Sequence, residues 1–263
     1  MTSLFPVRCP LLNAHAIIAA LPDGMRSSLT VRESVDSTQE VLLGVGDAMR
    51  TDRSAVVTDH QTAGRGRRGR EWQSPQGASL ALSMFARHGA GTRWSPAVSL
   101  ALGVAATEVL QRYGAPDVRL KWPNDLVAGE RKLGGILIET CTDGLVAGIG
   151  INLTLPATVR EIIAQPCVDL AELGSAVSPE TLAAALIAAW NEAFDLFLAC
   201  GLTAFLPRWC TLDALAQRPV RVLSGDTVVE GLACGIDAQG CLLVESDGQQ
   251  RAFSSAEVSV RPA

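Results

Sequence analysis

An internal run of glycine and arginine, Gly64-Arg65-Gly66-Arg67-Arg68-Gly69-Arg70, most constrains what this chain can fold into. It places four guanidinium groups and three glycines on seven residues. Glycine resists ordering and like charges repel, so the run has to be a loop, and one that is not expected to hold a single rigid fold when empty. Apolar strand-like segments lie on either side, Ala55–Thr58 before it and Ser79–Phe85 after it. The fold must therefore carry a basic, glycine-rich loop between core strands. Accessible N–H groups and planar guanidiniums in one loop suit a ligand with phosphate or carboxylate, which would also supply the missing counter-charge. Arg/Gly runs occur too in nucleic-acid-binding tails and basic targeting signals. Those sit at termini, repeat, and interleave aromatics, whereas this run is single and internal.

The rest of the chain is acidic. A net charge of -5 argues against a general nucleic-acid or membrane-surface binder. With 48% apolar and 19% charged residues among 263, a sizeable core is expected, in one large domain or two unequal ones. No apolar run approaches the ~20 residues that span a bilayer. Pro6 and Pro10 interrupt the N-terminus and the apolar stretch Ala16–Leu21 is short, which is not a signal-peptide pattern. The seven cysteines, Cys9, Cys141, Cys167, Cys200, Cys210, Cys234 and Cys241, form no C-x-x-C pair, and the three histidines do not cluster with them. Neither a zinc site nor a disulfide framework is expected, and the compartment read from this is cytoplasmic.

Patterning gives the organisation. Leu29–Val35 reads as a strand, and Ser37-Thr38-Gln39-Glu40 opens a helix with a capping box. Ala55–His60 is a short strand into the basic loop, and Ser79–Ala86 is a strand after it. Ser95-Pro96 starts a helix to about Tyr113 that is apolar nearly all round and should be buried. Val118–Trp122 is a strand stopped by Pro123. Gly134–Thr140 and Leu145–Leu153, joined by Thr142-Asp143-Gly144, form an antiparallel hairpin. Ser178-Pro179 starts a helix to about Cys200, and Leu202–Leu215 is helical. After Gln217 the texture changes to five short strands with turns at Ser224-Gly225-Asp226, Asp237–Gly240 and Asp247-Gly248, which reads as a small barrel. The expected fold is α+β, with a mixed, largely antiparallel sheet, in an N-terminal segment (1–28), a large domain (29–217) and a small C-terminal β domain (218–263).

Three further groups can carry chemistry. Lys121-Trp122-Pro123-Asn124-Asp125-Leu126 ends a strand at a proline. Asn124 and Asp125 there could make turn hydrogen bonds, or could meet a ribose, a base or a metal-bound water, with Lys121 for phosphate. Arg131-Lys132-Leu133-Gly134-Gly135 puts two cations before two glycines. Arg131 reads as a solvated turn residue, while Lys132 lies beside glycines that let a ligand approach the strand. Gly148-Ile149-Gly150-Ile151-Asn152 sets glycines inside a strand, with no helix following as a dinucleotide fingerprint requires.

In this order the motifs Ser37-Thr38-Gln39, Gln61…Gly64–Arg70-Glu71-Trp72, Lys121–Leu126, Lys132–Ile136 and Gly148–Asn152 resemble the biotin protein ligases (biotin–[acetyl-CoA-carboxylase] ligases), the enzymatic part of the bacterial biotin repressor. Phe205–Trp209 and Arg218–Gly240 look like that family's SH3-like C-terminal domain, and the likeness runs from about Val31 to Arg261. The resemblance implies a class II synthetase-like catalytic domain that activates biotin with ATP and Mg2+ to biotinyl-5'-AMP. The biotinyl group then passes to a lysine of a biotin carboxyl carrier protein, the acetyl-CoA carboxylase subunit. By the same resemblance, Arg67 and Lys132 sit at the carboxylate–phosphate junction. Ser37, Thr38, Gln39 and Gln61 hold biotin, Gly64, Arg65 and Gly66 close over it, and Gly135 and Gly148 floor the pocket. Arg70, Trp72, Lys121, Asn124, Asp125 and Asn152 face the nucleotide, with no protein metal site and no protein nucleophile. The family often pairs through sheet edges, so a homodimer is implied by analogy.

Three departures qualify the match. Position 39 is Gln where the family commonly shows Asn. Cys167 stands where an aromatic could stack on adenine, leaving that contact unassigned. About thirty residues precede the first matched strand, too few for the family's winged-helix domain, so a ligase without DNA binding or repressor activity is expected. The nearest rival is a lipoate or octanoate ligase or transferase of related fold. A non-enzymatic nucleic-acid binder and a plain nucleotide-binding module are the others.

Overall fold

A computed structural model of the chain describes residues 12–23, 25, 29–46, 49–89, 94–224, 227–254 and 258–262. Pro6, Cys9, Pro10 and the Gly225-Asp226 part of a turn lie outside the described residues. The order is α1 (Ala14–Ala20), β1 (Leu29–Val31), α2 (Thr38–Leu43), β2 (Ala55–Thr58), β3 (Ser79–Arg87), α3 (Val98–Arg112), β4 (Val118–Lys121), β5 (Asp125–Ala128), β6 (Arg131–Cys141), β7 (Gly144–Asn152), α4 (Ala157–Ile162), α5 (Pro179–Cys200) and α6 (Leu206–Leu212). There follow β8 (Pro219–Ser224), β9 (Thr227–Ile236), β10 (Leu242–Ser246), β11 (Gln249–Phe253) and β12 (Val258–Pro262).

Seven strands form one sheet in the order β1-β2-β3-β7-β6-β5-β4. Only β1–β2 is parallel and the remaining pairs are antiparallel, the mixed, largely antiparallel sheet expected. Period-two alternation divides its strands between two faces. Leu80, Leu82, Met84, Ile136, Ile149 and Ile151 pack into the main core with α3 and α5. On the other face α2 covers Val56, Phe85 and Val146 through Leu42. The part of this second face left clear by α2 is the floor of the site described below.

α3 is buried nearly all round, as its composition demands. It begins at Val98, after a turn in which Ser95 accepts from Ala97 N, rather than at Ser95-Pro96. α5 has the expected cap: Ser178 Oγ accepts from Thr181 N at 3.1 Å, with Pro179 in the first turn. Contrary to the sequence reading, α5 is by length and composition apolar enough to cross a bilayer, at 22 residues and mean hydropathy 1.5. It packs on α3, with 56% of its most apolar window buried, as a core helix does. The capping box of α2 does not form. Ser37 is the N-cap but makes no side-chain cap bond, and Glu40 turns to Arg65, 3.4 Å away. Trp122–Asn124 form a turn, one of the readings of the Pro-Asn-Asp signal, and β5, a strand absent from the sequence reading, begins at Asp125.

The last five strands form an antiparallel sheet in the order β11-β10-β9-β8-β12, with a bulge between Leu242 and Val244. Their inner residues Val220, Val222, Ala233, Leu242 and Val244 join the same hydrophobic core as the large sheet. Trp122 Nε1 donates to Gly240 O at 3.0 Å across the junction, in a buried setting.

Candidate functional site

A cleft of about 1090 Å³ opens on the free face of the large sheet. Its floor follows from strand register. Asp125 pairs with Gly135, Gly135 with Gly150, and Gly150 with Ala81, making one row across four strands. One step along, Leu137, Gly148 and Ser83 make the next row. Apart from Asp125 and Leu137, the side chains in these rows are small or absent, so other groups lie directly on the backbone. A Cβ on Gly150 would come within 2.6 Å of the Trp72 indole, and one on Gly148 within 2.7 Å of Gln39 Oε1.

The basic loop forms the roof. Its backbone is closed on itself by Gly66 N to Arg70 O at 2.7 Å and Trp72 N to Gly64 O at 2.9 Å, so it is hydrogen-bonded rather than unstructured. Its tip is a 3₁₀ turn, Arg67–Gly69, in which Arg68 takes the left-handed φ of 61°. Gly64 is required because a Cβ would lie 2.3 Å from Trp72 O. Arg65 is anchored to β6 through Glu139, at 2.5 Å.

Opposite charges meet beneath this roof. Lys132 Nζ lies 2.6 Å from Asp125 Oδ1 and 5.8 Å from the Trp72 ring. Arg67 donates to Asn124 Oδ1 at 3.1 Å, and Asn124 Nδ2 donates to Ile136 O at 2.9 Å. Burial pushes the Arg67 pKa down from its ordinary value; Arg68 adds repulsion, Asp125 opposes it, and Arg70 adds more repulsion. A desolvated guanidinium among other cations binds an anion more strongly than one in water does.

At the other end, Thr38 N donates to Gln61 Oε1 at 2.9 Å, and the Thr38 and Ser83 hydroxyls share a hydrogen bond of 2.7 Å. Ser37, Thr38 and Gln39 are all buried here. On the far side of Lys132, residues Ile162–Cys167 form a wall, held by Lys132 N to Pro166 O at 2.9 Å and Val168 N to Lys132 O at 3.0 Å. Arg160 on α4 braces this wall through the buried Asp169, at 2.5 Å.

All the residues singled out from the sequence line this cleft except Gly64, which supports the loop from behind. Asn152 lines it too, but its amide nitrogen donates to Val168 O at 3.0 Å, bracing the wall. Among lining residues given no role from the sequence, Gly150 belongs to a motif quoted there, Cys167 is the adenine-side departure, and Ala81 and Ser83 are small residues at alternate positions of β3. Arg68 and Ile162–Gln165 also line the cleft, and Glu139 is ion-paired at its edge. Among the described residues no group of three His, Cys, Asp or Glu could hold a metal ion.

A glycine floor, a basic roof and a convergent Arg–Asn–Asp–Lys cluster define a cleft for an extended, anionic ligand laid along a sheet. Residues 31–155 match the biotin/lipoate A/B protein ligase family, and residues 218–261 match the biotin protein ligase C-terminal domain. The chain is 41% identical over 264 residues to the bifunctional ligase/repressor BirA of Escherichia coli (strain K12), covering 98% of this chain and 81% of that protein. It is 30% identical over 248 residues to the biotin–[acetyl-CoA-carboxylase] ligase of Mycobacterium tuberculosis, covering 89% of each. The biotin protein ligase of Aquifex aeolicus, solved in complex with biotin and ATP, superposes with a TM-score of 0.79 at 27% identity, over 90% of this chain and 99% of that one. The chain belongs to the biotin/lipoate A/B protein ligase family, and within it to the biotin protein ligases.

Proposed function

We propose that this chain activates biotin with ATP to biotinyl-5'-AMP, releasing pyrophosphate, and transfers the biotinyl group to a lysine of a biotin carboxyl carrier protein. The observation that carries this reading is the convergence of Arg67, Asn124, Asp125 and Lys132 over a glycine floor in a chain of this family. The biotin carboxylate and the α-phosphate are both anionic and repel. Arg67 and Lys132, held by Asn124 and Asp125, offset that repulsion and stabilise charge building at phosphorus; one such donor is typically worth ~10²–10³ in rate. A carboxylate oxygen then bonds to the α-phosphorus as the bond to the β-phosphate bridging oxygen breaks. In the second half, the carrier amine attacks the acyl carbon and AMP leaves.

Ser37, Thr38, Gln39 and Gln61 hold the biotin end, with Arg65 and Gly66 over it and Gly135 and Gly148 beneath. Arg70, Trp72, Lys121 and the Asn152-braced wall face the nucleotide. Mg2+ would enter with ATP and neutralise its phosphates, and Asp125, which lines the cleft, would be a carboxylate available to it. The chemistry belongs to residues 29–217, while the C-terminal sheet, whose Arg218 and Val260 reach the cleft, borders the nucleotide or the arriving carrier. Two separate sheets support this division, although they share one core. The six described cysteines are free, which suits the cytoplasm.

The test is pyrophosphate release with Mg-ATP and biotin, lipoate, octanoate or no acid, before any carrier is added. Release with biotin alone is expected. Release with lipoate or octanoate instead would transfer the chain to the sister activity, and release with none would refute both.

A further inference from the structure

Glu139 on β6 belongs to none of the motifs above, yet its carboxylate joins the roof of the cleft to its floor. One oxygen accepts from Arg65 of the basic loop at 2.5 Å, and the other accepts from Gln39 Nε2 at 3.1 Å. Gln39 Nε2 also donates to Val146 O at 3.2 Å. Both partners of this nitrogen are pure acceptors, so the chemistry fixes which end of the amide faces them. Gln39 Oε1 must then turn the other way. It is buried, in a residue only 3% exposed, and has no hydrogen-bond partner among the described residues. Gly148 keeps the space in front of it open. A buried amide oxygen without a donor is unfavourable, and a donor on a bound ligand would relieve it.

We propose that Glu139 is a positioning residue that sets Gln39 as a hydrogen-bond acceptor for a ring N–H of the bound acid. The proposal rests on the biotin reading. The ureido ring of biotin carries N–H donors, whereas the dithiolane of lipoate and the chain of octanoate carry none. Selection for biotin is therefore built partly from a residue that does not touch it. Through Arg65 the same carboxylate ties this setting to the basic loop. Glu139→Gln removes half of this setting. A carboxamide that accepts from Arg65 must turn its own N–H toward Gln39 Nε2, so that only Val146 O still holds the Gln39 amide in this orientation.

Calorimetric affinities are to be compared for biotin and the two cyclic-carbamate analogues, in each of which one ring N–H is replaced by oxygen. The wild type is expected to bind biotin roughly tenfold to a hundredfold more tightly than one of the analogues, the value of one buried hydrogen bond. In Glu139→Gln that ratio falls, because one of the two acceptors that orient Gln39 is lost. Gln39→Leu, which removes the acceptor outright, loses the same ratio without depending on Glu139. An equal loss for biotin and both analogues, or an unchanged ratio in either variant, would overturn the proposal while leaving the ligase reading intact. Failure of the wild type to bind biotin at all would overturn both.

Discussion

Replacing Gly150 by alanine is expected to damage the site through Trp72, and the structure gives the size of the effect. The new Cβ would lie 2.6 Å from Trp72 Cε2, 2.7 Å from Nε1 and 2.9 Å from Cζ2. Carbon–carbon contacts are favourable at ~3.5–4.0 Å, so the indole must retreat by about 1 Å. The Trp72 ring is 5.8 Å from Lys132 Nζ, which is itself 2.6 Å from Asp125. A displacement of about 1 Å in a positioned group can cost ~10²-fold in rate, and overpacking typically costs ~1–3 kcal/mol of stability. Gly150→Ala should thus lower biotin-dependent pyrophosphate release by roughly tenfold to a hundredfold, with a reduced Tm. Trp72→Ala provides the control, because it removes the ring that collides. The indole N–H is buried without a hydrogen-bond partner among the described residues, so its loss breaks no bond there. In the double variant the penalty of Gly150→Ala should shrink by about 1 kcal/mol or more, a coupling of the size expected for contacting residues. Wild-type kinetics and Tm in Gly150→Ala, or additive losses in the double variant, would refute the reasoning.

Other variants probe other parts of the account. Trp122→Phe leaves Gly240 O without its 3.0 Å donor in a buried setting and should cost about 1–3 kcal/mol by denaturant unfolding. Asp213 is pushed above its ordinary carboxylate value by burial, opposed by its hydrogen bond from Leu215 N. Its folded form therefore holds a proton more tightly than the unfolded chain, and its contribution to stability falls as pH rises from the unfolded value of 3.8 through the raised folded value. The Tm of Asp213→Asn should gain on the wild type as pH rises above 3.8 through the raised folded value; a constant difference would contradict the sign. Arg67→Gln and Lys132→Gln should each reduce pyrophosphate release by ~10²–10³ while calorimetry still detects biotin.

The motif order was enough to place nearly every singled-out residue on one cleft, because strand periodicity alone puts Gly148, Gly150 and Asn152 on a single face. What failed were local signals overruled by tertiary partners. Glu40 fits a capping box by spacing, yet Arg65 draws its carboxylate away. The turn at Pro123-Asn124 forms, but the sequence reading lacked the strand that starts at Asp125, where Lys121 and Gly135 pair with it. The basic loop reads as unstructured from its charge, yet Gly66, Arg70, Gly64 and Trp72 close its backbone. The Gln39–Glu139–Arg65 link was not legible at all. Its members lie up to 100 residues apart, and only the packing of α2 against β7 and the register of β6 with β7 bring them together.

The most direct test of the central claim is to follow oxygen from the acid. Biotin labelled with ¹⁸O in its carboxylate would be turned over with Mg-ATP and hydroxylamine as the acceptor, and the nucleotide product analysed by mass spectrometry. Attack of the carboxylate on the α-phosphorus predicts AMP carrying one ¹⁸O, because that oxygen stays on phosphorus when the amine displaces AMP. Unlabelled AMP, or ADP with label in inorganic phosphate, would contradict the account.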